Sequence, residues 1–442
     1  MISARGGAPA AHARPAAPRD ARGRHGGRGG EPARIPAVGA AIAGRESTAS
    51  MATAAKWLHG LLGQLARSYE ATAAADGCSG AGEPAARLRD FALPVIDLSR
   101  FSSDDPAERI RLAERFDEVF STVGVCLIKN YDAKLQQSLE RLRAEAAAYF
   151  ALPDEVKLRS RVDDIFGFLP NGVESVAASI GEEAPPDLVE GLNFNGRDAD
   201  ADGAPQQRYS GSQQGWTAER VAANCAWLNA DWAQEVPAPL RDVAFEYWCG
   251  LCRLLDTMME LASLALGLPP GYFAENGYSN PGCVMRIANY VDPPATGPED
   301  GQARYNAHTD YDGFTFLSRS PGKKGLEIQL PDGEWVSVLQ PPDTLIINIG
   351  DLLAHWSNDR WKATMHRVSN PAPPGTANAG ETEEEDSRLS VVFFSGPHPS
   401  TLVECLPSKK CQGQSVTPKY PPITAEQHVR KKLELAAGIR SA

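Results

Sequence analysis

The feature of this sequence that most restricts its fold is a series of seven short runs between residues 284 and 395. The runs are short, most of them alternate polar and apolar side chains, and they are bounded by Gly and Pro, which is the pattern of antiparallel strands. The runs are Val284–Tyr290, Tyr311–Ser318, Leu326–Leu330, Trp335–Leu339, Thr344–Ile349, Met365–Asn370 and Arg388–Ser395. Strands of this size and spacing predict a double-sheet barrel of the jelly-roll type, in which side chains from separate strands meet inside.

The residues before these runs predict a supporting layer. Leu93–Leu98 and Val125–Ile128 are typical of strands, and each precedes a helical pattern, the first of which starts at Asp104-Asp105-Pro106 and closes at Gly124. The periodicity fades between about 157 and 235, which we interpret as mainly loop with short helices, and a long helix follows from about Pro239 to Leu266.

Together these patterns predict a mainly β protein with flanking helices and a jelly-roll core. We expect a disordered or partly helical leader over residues 1–90 and an N-terminal helical and αβ region over 91–275. The β core should span 276–400, and a C-terminal segment with a helix should span 401–442.

Charge and hydropathy exclude some classes of partner. The formal net charge of −12 argues against binding to nucleic acid, and no apolar run approaches the length that spans a bilayer, so we expect neither a transmembrane helix nor a membrane partner.

Residues 1–50 carry eight Arg against three acidic residues. We interpret this leader as a tail without function, although an organelle transit peptide or a later start at Met51 are alternatives, and we otherwise expect a cytoplasmic protein. The sequence does not predict an oligomeric state.

Eight cysteines are scattered along the chain without a secretory signal, which favours free thiols in a reducing compartment. Cys249 and Cys252 form a C-x-x-C pair within an apolar helical pattern and have no second pair nearby. We therefore interpret them as small core residues and not as a zinc site.

Three residues are candidate metal ligands. His308 and Asp310 are two positions apart in a run with strand character, so their side chains should point to the same face. His366 lies in a second short strand-like segment. Each residue alone would more often be structural, but two histidines and one carboxylate are the ligand set of non-haem Fe(II) oxygenases.

Arg388 and Ser390 are also two positions apart on a predicted strand. A guanidinium and a hydroxyl on one face can bind a carboxylate, and an arginine inside a barrel needs an anionic partner. The alternative is that Arg388 pairs with a protein carboxylate or faces solvent.

These five residues resemble the pattern of the isopenicillin N synthase-like family of Fe(II)- and 2-oxoglutarate-dependent dioxygenases. The resemblance covers about residues 93–435 and leaves the leader outside it. Further matching segments are Met285–Tyr290, Gly325–Gln329, Trp335–Val338, Asn348–Asn358 and Pro418–Thr424.

The resemblance implies a double-stranded β-helix core in which His308, Asp310 and His366 bind Fe(II), and it implies that this triad is catalytic. It also implies that 2-oxoglutarate chelates the iron and that its distal carboxylate meets Arg388 and Ser390, with Tyr290 as a further contact. O2 would be consumed, succinate and CO2 released, and a small-molecule substrate hydroxylated, desaturated or cyclised.

Two departures from the family pattern are visible. The link between His366 and Arg388 is long, with Pro and Gly followed by an acidic run to Asp386, and we interpret it as a mobile hairpin loop. Ala288 stands where some plant members have an asparagine that contacts the co-substrate. Two other functions remain open at this point, namely a 2-oxoglutarate-independent oxidase of the same family and an inactive small-molecule-binding module.

Overall fold

A computed structural model describes residues 88–163, 165–195, 225–278, 281–294, 296–320, 325–371, 388–413 and 417–436. The predicted leader of residues 1–90 lies almost wholly outside these described residues, and the predicted mobile loop before Arg388 lies outside them after residue 371.

The described residues contain fifteen strands and eight α-helices. The strands are β1 Asp90–Phe91, β2 Val95–Asp97, β3 Val125–Lys129, β4 Gly167–Leu169, β5 Val189–Asn195, β6 Gly282–Tyr290, β7 Tyr305–His308, β8 Phe314–Arg319, β9 Leu326–Gln329, β10 Trp335–Val338, β11 Leu345–Ile349, β12 His366–Val368, β13 Arg388–Gly396, β14 Leu402–Val403 and β15 Ile423–Thr424. The helices are α1 Pro106–Thr122, α2 Ala133–Phe150, α3 Asp154–Lys157, α4 Asp231–Gln234, α5 Ala238–Leu266, α6 Asp351–Trp356, α7 Lys409–Gln412 and α8 Ala425–Ala436.

Two sheets form the barrel, as predicted. The major sheet has eight strands in the order β2-β3-β11-β8-β13-β6-β5-β4, and the minor sheet has five in the order β1-β10-β9-β12-β7. The long antiparallel pairs β13–β6 and β13–β8 form the centre of the major sheet. β14 and β15 pair separately near the C-terminus.

Alternation along the major-sheet strands separates two apolar cores. On β13, Leu389, Val391 and Phe393 pack in the larger core with residues of α1, α2 and α5. The smaller core lies between the two sheets and contains residues of both, including Ile346 of β11 and Ile328 of β9. Because neighbouring residues of a strand face opposite sides, the residues between the helix-facing ones point into the barrel.

The first helix begins and ends as its sequence predicts. The Asp105 carboxylate accepts a hydrogen bond from the backbone N–H of Ala107 at 2.9 Å, and Pro106 occupies the first helical turn. Gly124 follows the helix with a φ of +76°, a conformation that glycine adopts without strain. This turn leads directly into β3, which pairs with β11 in the major sheet.

The interpretation of residues 157–235 as mainly loop was wrong at two places. β4 and β5 lie in this region, and β5 pairs along its whole length with β6. Their Gly-rich and Pro-flanked sequence resembles loop, and it is the long neighbouring β6 that holds this segment as strand. The strands of the region 91–275 therefore extend the same sheet that the β core forms.

Two further sequence features are visible in the fold. Cys249 and Cys252 are buried in α5 as free thiols within the larger core. Across the described part of the chain, the helices fall short of the combined length and apolar character that a membrane span requires.

Candidate metal centre

The two candidate histidines lie opposite each other on neighbouring strands. β7 and β12 pair antiparallel, and His366 is the direct partner of His308 in their register. The ring centroids are 4.2 Å apart, as expected for side chains that project from a cross-strand pair. Residues far apart in the sequence thus present two imidazoles at one place.

Each imidazole is oriented by a backbone carbonyl two residues before it. Nδ1 of His308 lies 2.8 Å from the carbonyl oxygen of Asn306, and Nδ1 of His366 lies 3.0 Å from that of Thr364. A carbonyl oxygen only accepts, so each Nδ1 carries the hydrogen that it donates. Each Nε2 is left with its lone pair, which is the form of imidazole that binds a metal.

Asp310 lies close to the two histidines, but its position does not follow from alternation along one strand. β7 ends at His308, and Asp310 lies in the turn that follows, so the expectation that both occupy one strand was wrong. The backbone N–H of Asp351 donates to the Asp310 carbonyl at 2.8 Å and fixes this turn. The Asp310 Oδ1 lies 3.8 Å from Nε2 of His308 and 3.7 Å from Nε2 of His366.

Asn348 holds the other oxygen of this carboxylate. Its side-chain amide donates to Oδ2 of Asp310 at 2.5 Å, and both side chains are buried. Alternation on β11 turns Asn348 away from the helices, because Ile347 and Ile349 occupy the larger core. The carboxylate is thereby fixed with Oδ1 turned toward the imidazoles.

Electrostatics keep Asp310 and His308 in the protonation states that a metal requires. Burial raises the pKa of Asp310, but the two imidazoles, Thr315 and Asn348 lower it by more, so this carboxyl is ionised at neutral pH. Burial and the neighbouring His366 lower the pKa of His308 to about 3, so its ring is neutral. One carboxylate and a neutral imidazole are ready ligands for a cation.

The ligand atoms of His308, Asp310 and His366 lie within 4.8 Å of one another, and no other such group occurs among the described residues. Nitrogen and carboxylate donors in this number suit a divalent first-row metal and leave further coordination positions for other molecules. The chemistry of the donor set therefore fits Fe(II).

The three predicted co-substrate residues also come together. Arg388 and Ser390 alternate on β13 with Leu389 and Val391, which face the helices, so both point into the barrel. Arg388 is 1% exposed, and its guanidinium lies over the ring of Tyr290 at 5.0 Å from the centroid. Tyr290 is the direct partner of Arg388 on β6.

A narrow cavity borders His366 inside the barrel. It is lined by Val125, Leu317, Leu326, Ile328, Ile346, Asn348, Thr364 and His366. Its walls are apolar except close to the metal ligands, where Asn348 and Thr364 lie.

Sequence reasoning missed two residues that support the ligands. Asn348 carried a signal, because it is the one polar residue within the apolar strand Leu345–Ile349. Asp187 carried none, since it lies in a turn-rich segment. Its carboxylate accepts hydrogen bonds from the backbone N–H and the side-chain amide of Asn306, both at 2.9 Å, and so braces the residue that orients His308.

A cleft of about 420 Å³ elsewhere is separate from this centre. It is lined by residues of α6, α8 and the segments 359–363 and 419–420, and includes His355. His355 stacks on Tyr420 with ring centroids 4.3 Å apart. The sequence interpretation of His355 as a residue outside the ligand set agrees with this position.

Two family models match the chain. Residues 282–397 match the 2OG-Fe(II) oxygenase superfamily, and residues 93–217 match the non-haem dioxygenase in morphine synthesis N-terminal family. Together the two matches span more than half of the 442 residues and include all six predicted site residues.

Known proteins show the same likeness. The chain is 27% identical over 348 residues to the 2-oxoglutarate-Fe(II) type oxidoreductase hxnY of Emericella nidulans, covering 76% of this chain and 88% of that protein. It is 26% identical over 308 residues to the validamycin A dioxygenase of Streptomyces hygroscopicus subsp. limoneus, covering 68% and 76%.

A solved structure of a 2OG-Fe(II) oxygenase family protein from Caulobacter crescentus superposes with a TM-score of 0.58 at 26% identity. The match covers 77% of this chain and 98% of that one. The double-stranded β-helix with flanking helices is therefore confirmed as the fold class.

Proposed function

Because the chain belongs to the 2OG-Fe(II) oxygenase superfamily, we propose that His308, Asp310 and His366 are the residues that hold its catalytic iron. The protein is an Fe(II)- and 2-oxoglutarate-dependent dioxygenase that consumes O2, as its sequence resemblance implied. The oxidase and the inactive binding module are not favoured, since the relatives are named as 2-oxoglutarate-dependent enzymes.

One observation carries the assignment of the ligands. The buried His308 and Asp310 and the partly buried His366 come from two strands and a turn, and they present two imidazole nitrogens and one carboxylate oxygen within 4.8 Å. Both imidazoles have Nδ1 engaged by a backbone carbonyl, and the carboxylate has its second oxygen engaged by Asn348. Because these donors are already oriented before metal binding, little free energy is lost in reorganising them when the metal binds.

Bound Fe(II) supplies the redox chemistry that couples decarboxylation of 2-oxoglutarate to oxidation of a substrate C–H bond. The protein side chains bind and orient. Arg388 and Ser390 are proposed to bind the distal carboxylate of 2-oxoglutarate, because a guanidinium and a hydroxyl offer matched donors on one interior face. Tyr290 supports the Arg388 guanidinium with its ring face.

We propose a small molecule as the substrate. The relatives include a dioxygenase named for validamycin A, a small molecule, and the net charge of −12 disfavours a polyanion such as nucleic acid. The choice between hydroxylation, desaturation and ring closure depends on where a substrate carbon lies relative to the iron.

The assignment is tested by anaerobic titration of Fe(II)-loaded protein with 2-oxoglutarate, followed by its metal-to-ligand charge-transfer absorption. The wild-type protein should develop the band, and His308→Ala should not, because it lacks a ligand. His398→Ala removes a histidine that contacts Ser400 outside the centre and serves as the matched control. A band that survives His308→Ala with unchanged affinity for iron would contradict the ligand set.

The co-substrate residues are tested by steady-state kinetics. Arg388→Ala should raise the apparent KM for 2-oxoglutarate by about 10- to 100-fold, since a hydrogen bond to a charged group contributes about 1.5–3 kcal/mol. Succinate should form in step with O2 consumption. An unchanged KM for 2-oxoglutarate would argue that the arginine binds something else.

A further inference from the structure

A second arginine lies inside the barrel beside the proposed carboxylate site. On β8, Phe314 and Phe316 pack in the larger core with the helices, so the alternate residues point the opposite way. These alternate residues are Thr315, Leu317 and Arg319. Thr315 hydrogen-bonds the Asp310 carboxylate and Leu317 lines the cavity next to His366, which places the same face of β8 along the pocket.

The strand register brings Arg319 next to the predicted co-substrate residues. Ser390 is paired with Arg319 on β8 and with Ala288 on β6. Directly paired residues in a sheet project to the same face, and Arg388 lies on that face two positions along β13. We call this group of Arg319, Arg388, Ser390 and Tyr290 the arginine end of the barrel.

The Arg319 guanidinium is buried and incompletely bonded. The residue is 7% exposed, and its Nη2 donates to the backbone carbonyl of Val338 on β10 at 2.8 Å. Among the described residues, its buried Nη1 has no hydrogen-bond partner. A charged donor that is buried without an acceptor is costly unless a ligand completes its bonding.

Within the described part of the chain, no carboxylate offsets the charge of the Arg319 guanidinium. Burial and, as a smaller contribution, the nearby Arg388 together lower the pKa of Arg319 to about 10. The group still carries its proton at neutral pH, so two cations lie close together in a poorly solvated place. An anion bound between them would relieve their repulsion.

We propose that Arg319 is a second binding residue for the distal carboxylate of 2-oxoglutarate, and that it acts together with Arg388 and Ser390. On one side of Ser390 the paired residue is Ala288, which offers no donor, and on the other side it is Arg319. Arg319 supplies a donor that the Ala288 side lacks. This inference rests on the proposed function, because it assumes that 2-oxoglutarate occupies the pocket.

The competing explanation is that Arg319 only ties the two sheets together through Val338. The two roles differ in one respect. A brace affects every ligand of the pocket alike, whereas a carboxylate-binding residue affects only ligands that carry the distal carboxylate. The comparison of 2-oxoglutarate with 2-oxopentanoate isolates that group, because both acids chelate iron through the same 2-oxo acid end.

The experiment measures the dissociation constants of both acids by anaerobic charge-transfer titration of the Fe(II)-loaded full-length protein. Arg319→Gln should weaken binding of 2-oxoglutarate by at least about tenfold, the effect of a lost bond to a charged group. Its effect on 2-oxopentanoate should stay below about twofold. Arg319→Lys, which keeps the cation, should recover part of the affinity.

The controls separate the possible failures. Arg388→Gln should show the same selectivity for 2-oxoglutarate, and Arg89→Gln, which breaks an exposed ion pair with Glu334, should change neither constant. Equal weakening of both acids in Arg319→Gln, or in Arg319→Lys if the glutamine variant does not fold, would overturn the inference in favour of a brace. Unchanged binding of both acids would also overturn it. If the wild-type protein gives no band with 2-oxoglutarate, the proposed function itself fails.

Discussion

The hydrogen bond from Asn348 to Asp310 should control the affinity of the centre for iron. Asn348→Leu keeps a similar side-chain volume but removes the donor that lies 2.5 Å from Oδ2 of Asp310. A hydrogen bond to a charged group contributes about 1.5–3 kcal/mol, so the dissociation constant for Fe(II) should rise by about 10- to 100-fold. The variant should also leave Asp310 free to turn its carboxylate away from the imidazoles.

The same substitution should make iron binding more sensitive to acid. Burial alone raises the pKa of Asp310, and the hydrogen bond from Asn348 is one of the contributions that lower it. When that bond is removed, the pKa of Asp310 rises, and protons compete with the metal at higher pH. The loss of affinity should therefore be larger at about pH 6 than at about pH 8.

The assay is anaerobic competition for Fe(II) against a chromophoric chelator at several pH values. Asn289→Leu is the matched control, because Asn289 donates to the Glu190 carboxylate at 2.8 Å on β6 without reaching the ligands. It should leave the affinity for iron unchanged. A native-like Asn348→Leu protein with wild-type affinity across the pH range would refute the argument that this bond orients the carboxylate.

Three further predictions follow from other parts of the structure. His366→Ala should abolish turnover while the protein stays folded, as judged by circular dichroism, and measurable turnover would contradict its role as a ligand. Gly124→Ala should lower the free energy of unfolding in urea by roughly 3 kcal/mol or more, because a Cβ there would lie 2.2 Å from the carbonyl oxygen of Lys362 at a φ of +76°. A loss below about 1 kcal/mol would count against this packing. Burial lowers the pKa of His428 to about 4, so the unfolded chain binds more protons between about pH 6.5 and 4 and the free energy of unfolding should fall as the pH drops through that window. His428→Gln should make this fall shallower, and an unchanged slope would show that the histidine is not the cause.

Much of the barrel could be predicted from local patterns. All seven predicted runs overlap a strand of the structure, although β8 starts at Phe314 and β12 begins at His366. The period of two and the Gly and Pro boundaries are properties of a few consecutive residues. They can therefore be recognised without knowing which strands pair with each other. β5 was missed because its strand conformation depends on pairing with β6.

The sequence by itself determined the types of the ligands, the alternation that turns Arg388 and Ser390 to one face, and the family that these residues resemble. Only the tertiary structure decided that His366 pairs with His308, that Asp310 reaches them from a turn, and that Asn348 and Arg319 face the same interior. The physical reason is that the face of a residue is set by its own strand, whereas the register between distant strands is set by packing across the whole barrel.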